Sequence, residues 1–144
     1  MNFQYHGTLG GVSPAAETFK VDSGTTSSIK LGDLFVVTAG YAVALADGGM
    51  ASAGKYALAT SDSTETSSAA GVVDGQYCPS GLQVIGKATT PGNLTQALMF
   101  TDVSVDVSAG VITIDENSGS GVLTMHSFDN TTDGHVVADV PWTV

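Results

Sequence analysis

Apolar and polar residues alternate with period two along Val103–Asp115, VSVDVSAGVITID. In an extended strand Val103, Val105 and Val107 point one way, and Ser104 and Asp106 point the other. Ser108, Ala109 and Gly110 can turn the chain. Val111–Ile114 then returns as a second β-branched run, and the whole predicts a hairpin. An isolated hairpin is marginal in water, so the rest of the chain is read as sheet material covering its apolar face. The longest such register is His135–Val144, where Val136, Ala138, Val140, Trp142 and Val144 share one side. Pro141 cannot donate a ladder hydrogen bond, so this strand lies at an edge or leaves the sheet there. Trp142 is expected to be buried against a barrel end or a neighbour.

The remaining elements are short. Residues 1–28 read as an N-terminal arm or edge segment. Phe3 and Tyr5 are its candidate anchors, docked either on a neighbouring subunit or on the chain's own domain. Ala15–Val21 fits a helical turn or an extended piece. Leu34–Val37 and Tyr41–Ala46 predict strand, turn and strand, with alanines on one face of the second strand allowing close approach of another layer. Lys55–Ala59 is a strand with Tyr56 and Leu58 on one face. Thr60–Ser68, rich in Ser and Thr, is a candidate projecting loop. Gly71–Val73 and Leu82–Ile85 are further strands. Asn93–Phe100 fits a short helix or a strand. Val122–Phe128 is a strand with either Leu123 and Met125 inward or the alternate set. The sum is eight to ten short strands, at most one short helix and no fixed-period repeat. That predicts an all-β chain, a small single-domain β-barrel or β-sandwich over 29–144.

Charge narrows the partners. Only 12% of the 144 residues are charged, with four Lys, no Arg and fourteen acids, for a formal charge of −10. From Ala88 onward there are seven acids and no Lys. Direct nucleic-acid binding needs cations against phosphates, and an anionic membrane surface needs the same. Neither partner is expected. The start MNFQYHGTLG shows no positive n-region or apolar h-region, so no secretory signal is expected. Cys78 is the sole cysteine, which excludes an internal disulfide and reads as a small semi-buried hydrophobe.

No catalytic or cofactor apparatus is expected. A nucleophile needs a base in reach and a group to orient it, yet no G-x-S-x-G elbow occurs, and Ser127 beside His126 points to the opposite face of a strand. Asp129, Thr131, Asp133 and Gly134 faintly match the start of a calcium loop, with Asp115 and Glu116 as neighbours if the hairpins pack together. The later ligands and the bidentate Glu are missing, so a solvated Asx-type turn is the simpler reading. His126 and His135 flank that turn, but two ligands are too few for zinc. Each lysine is expected to pair locally or across a subunit boundary. Asn93-Leu94-Thr95 and Asn130-Thr131-Thr132 match glycosylation sequons, which mean little without a signal peptide.

Three segments, LGDLFVVTAGYAVALA (31–46), GKYALATSD (54–62) and VSVDVSAGVITI (103–114), together resemble the capsid decoration, or cement, proteins of tailed bacteriophages. The resemblance spans residues 29–144 and is one of pattern, with no residue signature to carry over position by position. It implies a structural virion protein, not an enzyme, made in the host cytoplasm and bound to the outer surface of an expanded icosahedral capsid. It also implies a homotrimer contacting the major capsid protein, a jelly-roll-like or β-tulip-like body, and an extended N-terminal arm. Phe3, Tyr5 and Trp142 are the interface candidates. The alternatives are a secreted or surface β-sandwich binding module, for instance for carbohydrate, and another virion part such as a fibre or tail module. For carbohydrate, Tyr41, Tyr56, Tyr77 and Trp142 would have to form a platform.

Overall fold

Eleven strands occur among the residues that the computed structural model describes, 1–129 and 133–143. They are β1 (Phe3–Thr8), β2 (Ala15–Val21), β3 (Leu34–Thr38), β4 (Tyr41–Ala44), β5 (Lys55–Ala59), β6 (Gly71–Tyr77), β7 (Leu82–Lys87), β8 (Asp102–Ser108), β9 (Val111–Asp115), β10 (Leu123–Phe128) and β11 (His135–Val140). Single 3₁₀ turns occupy Leu9–Gly11, Pro91–Asn93 and Gln96–Leu98. The chain is therefore a small all-β domain. Neither the helix nor the strand expected over Asn93–Phe100 forms. Pro91 and Gly92 open the segment, and Phe100 closes it in a left-handed conformation at φ 62°. Leu94 and Met99 are buried from it.

The strands make two bodies. β2-β4-β3-β5-β6 close into a barrel, and β1-β7-β11-β10-β8-β9 form a curled six-stranded sheet. Without β1, the second order is that of the first: β7, β8, β9, β10 and β11 stand where β2, β3, β4, β5 and β6 stand. Both hairpins turn on an Ala-Gly pair, Ala39-Gly40 and Ala109-Gly110, with both residues at positive φ as in a type I′ turn. In each body the first strand, or the residue just past it, meets the third strand in chain order in parallel at one residue pair, Lys20↔Tyr41 in one and Ala88↔Ile114 in the other. The domain thus contains a repeated five-strand topology. No fixed sequence period betrays it, because the connections differ in length: β5 to β6 spans Thr60–Ala70, whereas β10 to β11 spans residues 129–134.

The barrel interior is narrow. Phe19 and Phe35 fill it edge to face, with ring centroids 5.3 Å apart, and Ala42, Ala57, Ala59 and Gly75 make room for them. A Cβ on Gly75 would stand 2.7 Å from Phe35 Cζ. Ala42 is therefore the inward residue of β4, and Tyr41 and Val43 are exposed on the outside. Leu34, Tyr56 and Leu58 project from the outside of the barrel wall into the concave side of the curled sheet. There they join Val84, Val103, Val105, Ile114, Leu123, Met125 and the β11 row Val136, Ala138 and Val140 in the main core. The inward set on β10 is thus Leu123 and Met125. β11 lies between β7 and β10 and ends at Val140, so Pro141 marks where the chain leaves the sheet, not an edge. Tyr56 N then donates to Pro141 O, and Trp142 bridges to Lys55. Val144 is outside the described residues.

Residues 1–28 are built into the body; they do not extend from it. β1 is an edge strand on β7, and Phe3 is 1% exposed on its own domain. Phe3 N donates to Gly32 O (2.8 Å) and Asn2 Nδ2 to Asp33 Oδ1 (2.8 Å). β2 is extended and forms a stave of the barrel, paired along its length with β6. The extended arm is corrected accordingly: buried Phe3 and the ladder to β7 hold this segment down.

Candidate functional site

The polar clusters are structural in their bonding. His126 Nε2 lies 2.5 Å from Asp139 Oδ2, and the edge of its ring meets Phe100 at 5.3 Å between centroids. Asp139 Oδ1 accepts from Gln83 Nε2 at 3.1 Å. No hydroxyl hydrogen-bonds to His126 among the described residues, so this pair lacks the nucleophile that a triad needs. His135 is in register with Lys87, and the two histidines do not converge. Among the described residues no group of three or more His, Cys, Asp or Glu is arranged to hold a metal ion. In the proposed calcium turn, residues 130–132 and their sequon lie outside the described residues. Its supposed neighbour Glu116 is turned inward, taking hydrogen bonds from Thr90 N (3.0 Å) and Asn93 Nδ2 (3.4 Å). Cys78 is buried, with Sγ 3.1 Å from Ser80 Oγ.

The Thr60–Ser68 segment does not project. It is a strap across the barrel end, bonded on both sides. Glu65, 1% exposed, accepts from Ser28 N (2.5 Å) and Ser28 Oγ (2.5 Å). Ser63 N donates to Ile29 O, Ile29 N to Ser63 Oγ (3.0 Å), and Leu31 N to Asp62 Oδ1 (2.8 Å). Burial pushes the Glu65 pKa up, but the hydrogen bonds from Ser28, with the Ser63 side chain adding to them, outweigh it and hold the carboxyl below its usual range, even though Oε2 is buried with no hydrogen-bond partner among the described residues. The short polar side chains that suggested an exposed loop are the donors and acceptors of this strap.

The aromatics do not make a carbohydrate platform. Tyr56 is buried, and its hydroxyl donates to Ser52 O (2.7 Å). Tyr77 and Trp142 stack on each other, 3.8 Å between centroids and 19° between planes, and so use their faces internally. Phe19 packs beside them, and Lys55 Nζ stands 5.9 Å over Trp142. Burial first, and then the Glu17 carboxylate, raise the Tyr77 pKa above its ordinary value. Of the three interface candidates, Phe3 is in the core, Trp142 is half-buried at the barrel end, and Tyr5 is exposed on β1. No lysine lies within ion-pair distance of a carboxylate among the described residues; Lys30 Nζ donates to Ser27 Oγ instead.

What is displayed is an apolar wall. On the outside of the barrel, Val72 (β6), Lys20 (β2) and Tyr41 (β4) lie side by side in register, with Val43 next along β4. Val43, Val72 and Tyr41 keep 45%, 42% and 39% of their surface exposed. The rest of the outer wall, on β3 and β5, is covered by the curled sheet. Alternation on β4 marked both of its faces as apolar and did not say which one is inside. The signal that could have decided it is the pair of phenylalanines in a five-stranded barrel, which leaves space for little but alanine and glycine.

No protein-family model, curated protein or solved structure matches the chain.

Proposed function

We propose that this chain is a structural virion protein of the decoration class. In this reading it binds the outer surface of an expanded icosahedral capsid and stabilises contacts between major capsid subunits, as a homotrimer. The observation that carries the reading is the exposed wall of Val72, Tyr41 and Val43 around Lys20, on a body whose chain is spent on β walls. An apolar patch on a small domain is a contact surface when it has no fold-level reason to be exposed. The 12% charge content supports the same reading, since a surface poor in long solvating side chains favours packing against neighbours. A ligand that binds only the expanded lattice stabilises it by mass action, and contacts repeated around a three-fold add through multivalency. The formal charge of −10 keeps such a protein off the packaged nucleic acid.

The test is to add purified protein to expanded, undecorated heads and image them. Ordered density at three-fold positions, weakened by Val43→Asp, is the expected result. Heads that stay bare at saturating protein would overturn the reading. Size-exclusion with light scattering adds a second readout: a trimer, or a monomer that trimerises on shells, against a monomer in both settings.

A further inference from the structure

A cleft of about 260 Å³ opens at the start of β1, lined in part by Gln4, Ile85, Lys87, Val111, Thr113 and His135. Its walls meet by register. Gln4 stands beside Ile85 across β1 and β7, and Lys87 beside His135 across β7 and β11. All four side chains therefore share the convex face of the curled sheet. β9 reaches the same place because Ala88 bridges to Ile114 and Asn2 Nδ2 donates to Gly110 O at 3.1 Å.

The lining runs against the charge of the rest of the chain. Four Lys and three His stand against fourteen acids in the sequence. Here one Lys and one His are register partners, and no Asp or Glu lines the cleft. Three acids are bonded to or in register with lining residues: Asp33 with Asn2, Asp106 with Thr113 and Asp129 with His135. All three lie outside the lining. Among the described residues, the side chains of Lys87, His135 and Gln4 have no hydrogen-bond or ion-pair partner. Ile85 and Val111 add apolar surface beside these donors.

We infer that this cleft is a binding site for a small aliphatic carboxylate. Lys87 Nζ supplies the charge, and the His135 ring N–H and the Gln4 amide donate to the carboxylate oxygens. His135 keeps a ring N–H whether its imidazole is neutral or protonated. Ile85 and Val111 pack against the short aliphatic chain. One permanent cation matches one negative charge, and a phosphate dianion would leave the apolar part of the lining unused. The volume is below the ~300 Å³ at which drug-sized ligands begin, which suits a small acid. The formal charge of −10 repels anions at long range, so binding depends on contact and is weak. The cleft shares no residue with the wall of Val72, Tyr41 and Val43, so its test is independent of the capsid reading.

The test is an NMR titration of the full chain with sodium butyrate, compared with butyramide and inorganic phosphate. Saturable shifts at Gln4, Lys87, Thr113 and His135 are expected, with a Kd of about 1–10 mM. Butyramide keeps the shape without the charge and should bind about tenfold more weakly. Phosphate should also bind more weakly than butyrate. Lys87→Met should weaken butyrate about tenfold, the scale of one hydrogen bond to a charged group. Gln4→Leu, also at an exposed residue, should give a smaller loss and carries the comparison if Lys87→Met does not fold. Lys55→Met, which removes the cation over Trp142, should leave binding unchanged. The inference is overturned by no saturation, by shifts centred elsewhere, by butyramide equal to butyrate, or by phosphate tighter than butyrate. Broadening of the same residues with protein concentration alone would also overturn it, because an acidic side chain of a second copy would then be the occupant.

Discussion

The two halves share a strand order but differ in how they complete their cores. The barrel of β2–β6 is filled by its own residues, from Phe19 to Val73. The sheet of β7–β11 stays open and is closed by residues from elsewhere: Phe3 from β1, Met50 from the β4–β5 connection, and Leu34, Tyr56 and Leu58 from the barrel's outer wall. The contrast is sharpest on the first strand of each half. In the barrel, β2 carries Phe19 into the interior. In the sheet, β7 carries Gly86, and the Phe3 ring occupies the space; a Cβ there would lie 2.3 Å from Phe3 Cε1. A repeated topology therefore does not require a repeated core. One half carries its aromatic on its own first strand, and the other takes it from an added strand.

That comparison can be broken at Phe3. Phe3→Ala should cost about 3–5 kcal/mol, the usual range for a buried aromatic, read by thermal or denaturant unfolding. The loss should not add to that of Gly86→Ala. In the wild-type chain Gly86→Ala pushes a methyl into the Phe3 ring. In the Phe3→Ala chain the same methyl fills part of the hole, and it should recover stability. Additive losses would show that Phe3 and Gly86 are independent, and the contrast with Phe19 would fall. Met50→Ala is expected next, at about 2–5 kcal/mol, with amide exchange rising in β8–β11 before it rises in β2–β6.

The period-two runs carried most of the architecture. The β8–β9 hairpin, the β3–β4 hairpin and the inward row Val136, Ala138 and Val140 follow directly from alternation and turn residues. What alternation does not encode is which face of a strand is inside when both are apolar, and so β4 was ambiguous. It also does not encode long-range bonding of short polar side chains. Ser63 and Glu65 look like loop residues in sequence, and only their partners at Ile29 and Ser28, more than thirty residues away, make them buried. The apolar wall was illegible for the same reason, because it depends on three strands coming into register.

Each half also has a buried glutamate that caps the loop after its first strand. Glu65 takes Ser28 N in the barrel, and Glu116 takes Thr90 N in the sheet. Glu65→Gln should cost about 1–3 kcal/mol, the scale of hydrogen bonds to a charged acceptor. Its pH dependence has a definite sign. The folded pKa of Glu65 lies below the unfolded value, so its contribution is complete above the unfolded carboxylate range and is lost as pH falls through the folded pKa. Urea unfolding below and above that range should show the acid loss shrink in the Glu65→Gln chain. An unchanged acid profile would mean that Ser28 does not stabilise the charged form.

The smallest effect tests the equivalence of the halves most directly. Ala39 and Ala109 both sit at φ 51°, at the first central position of their turns, where an L side chain with a Cβ is strained. Asn tolerates that region, and Asn-Gly is the favoured pair for this turn. Ala39→Asn and Ala109→Asn should each stabilise the protein by about 0.5–1 kcal/mol, and by the same amount, because each turn closes a two-residue hairpin between strands that correspond. Far apart and without shared partners, the two gains should add in the double variant. Unequal gains would mean that the two hairpins match in backbone trace but not in strain.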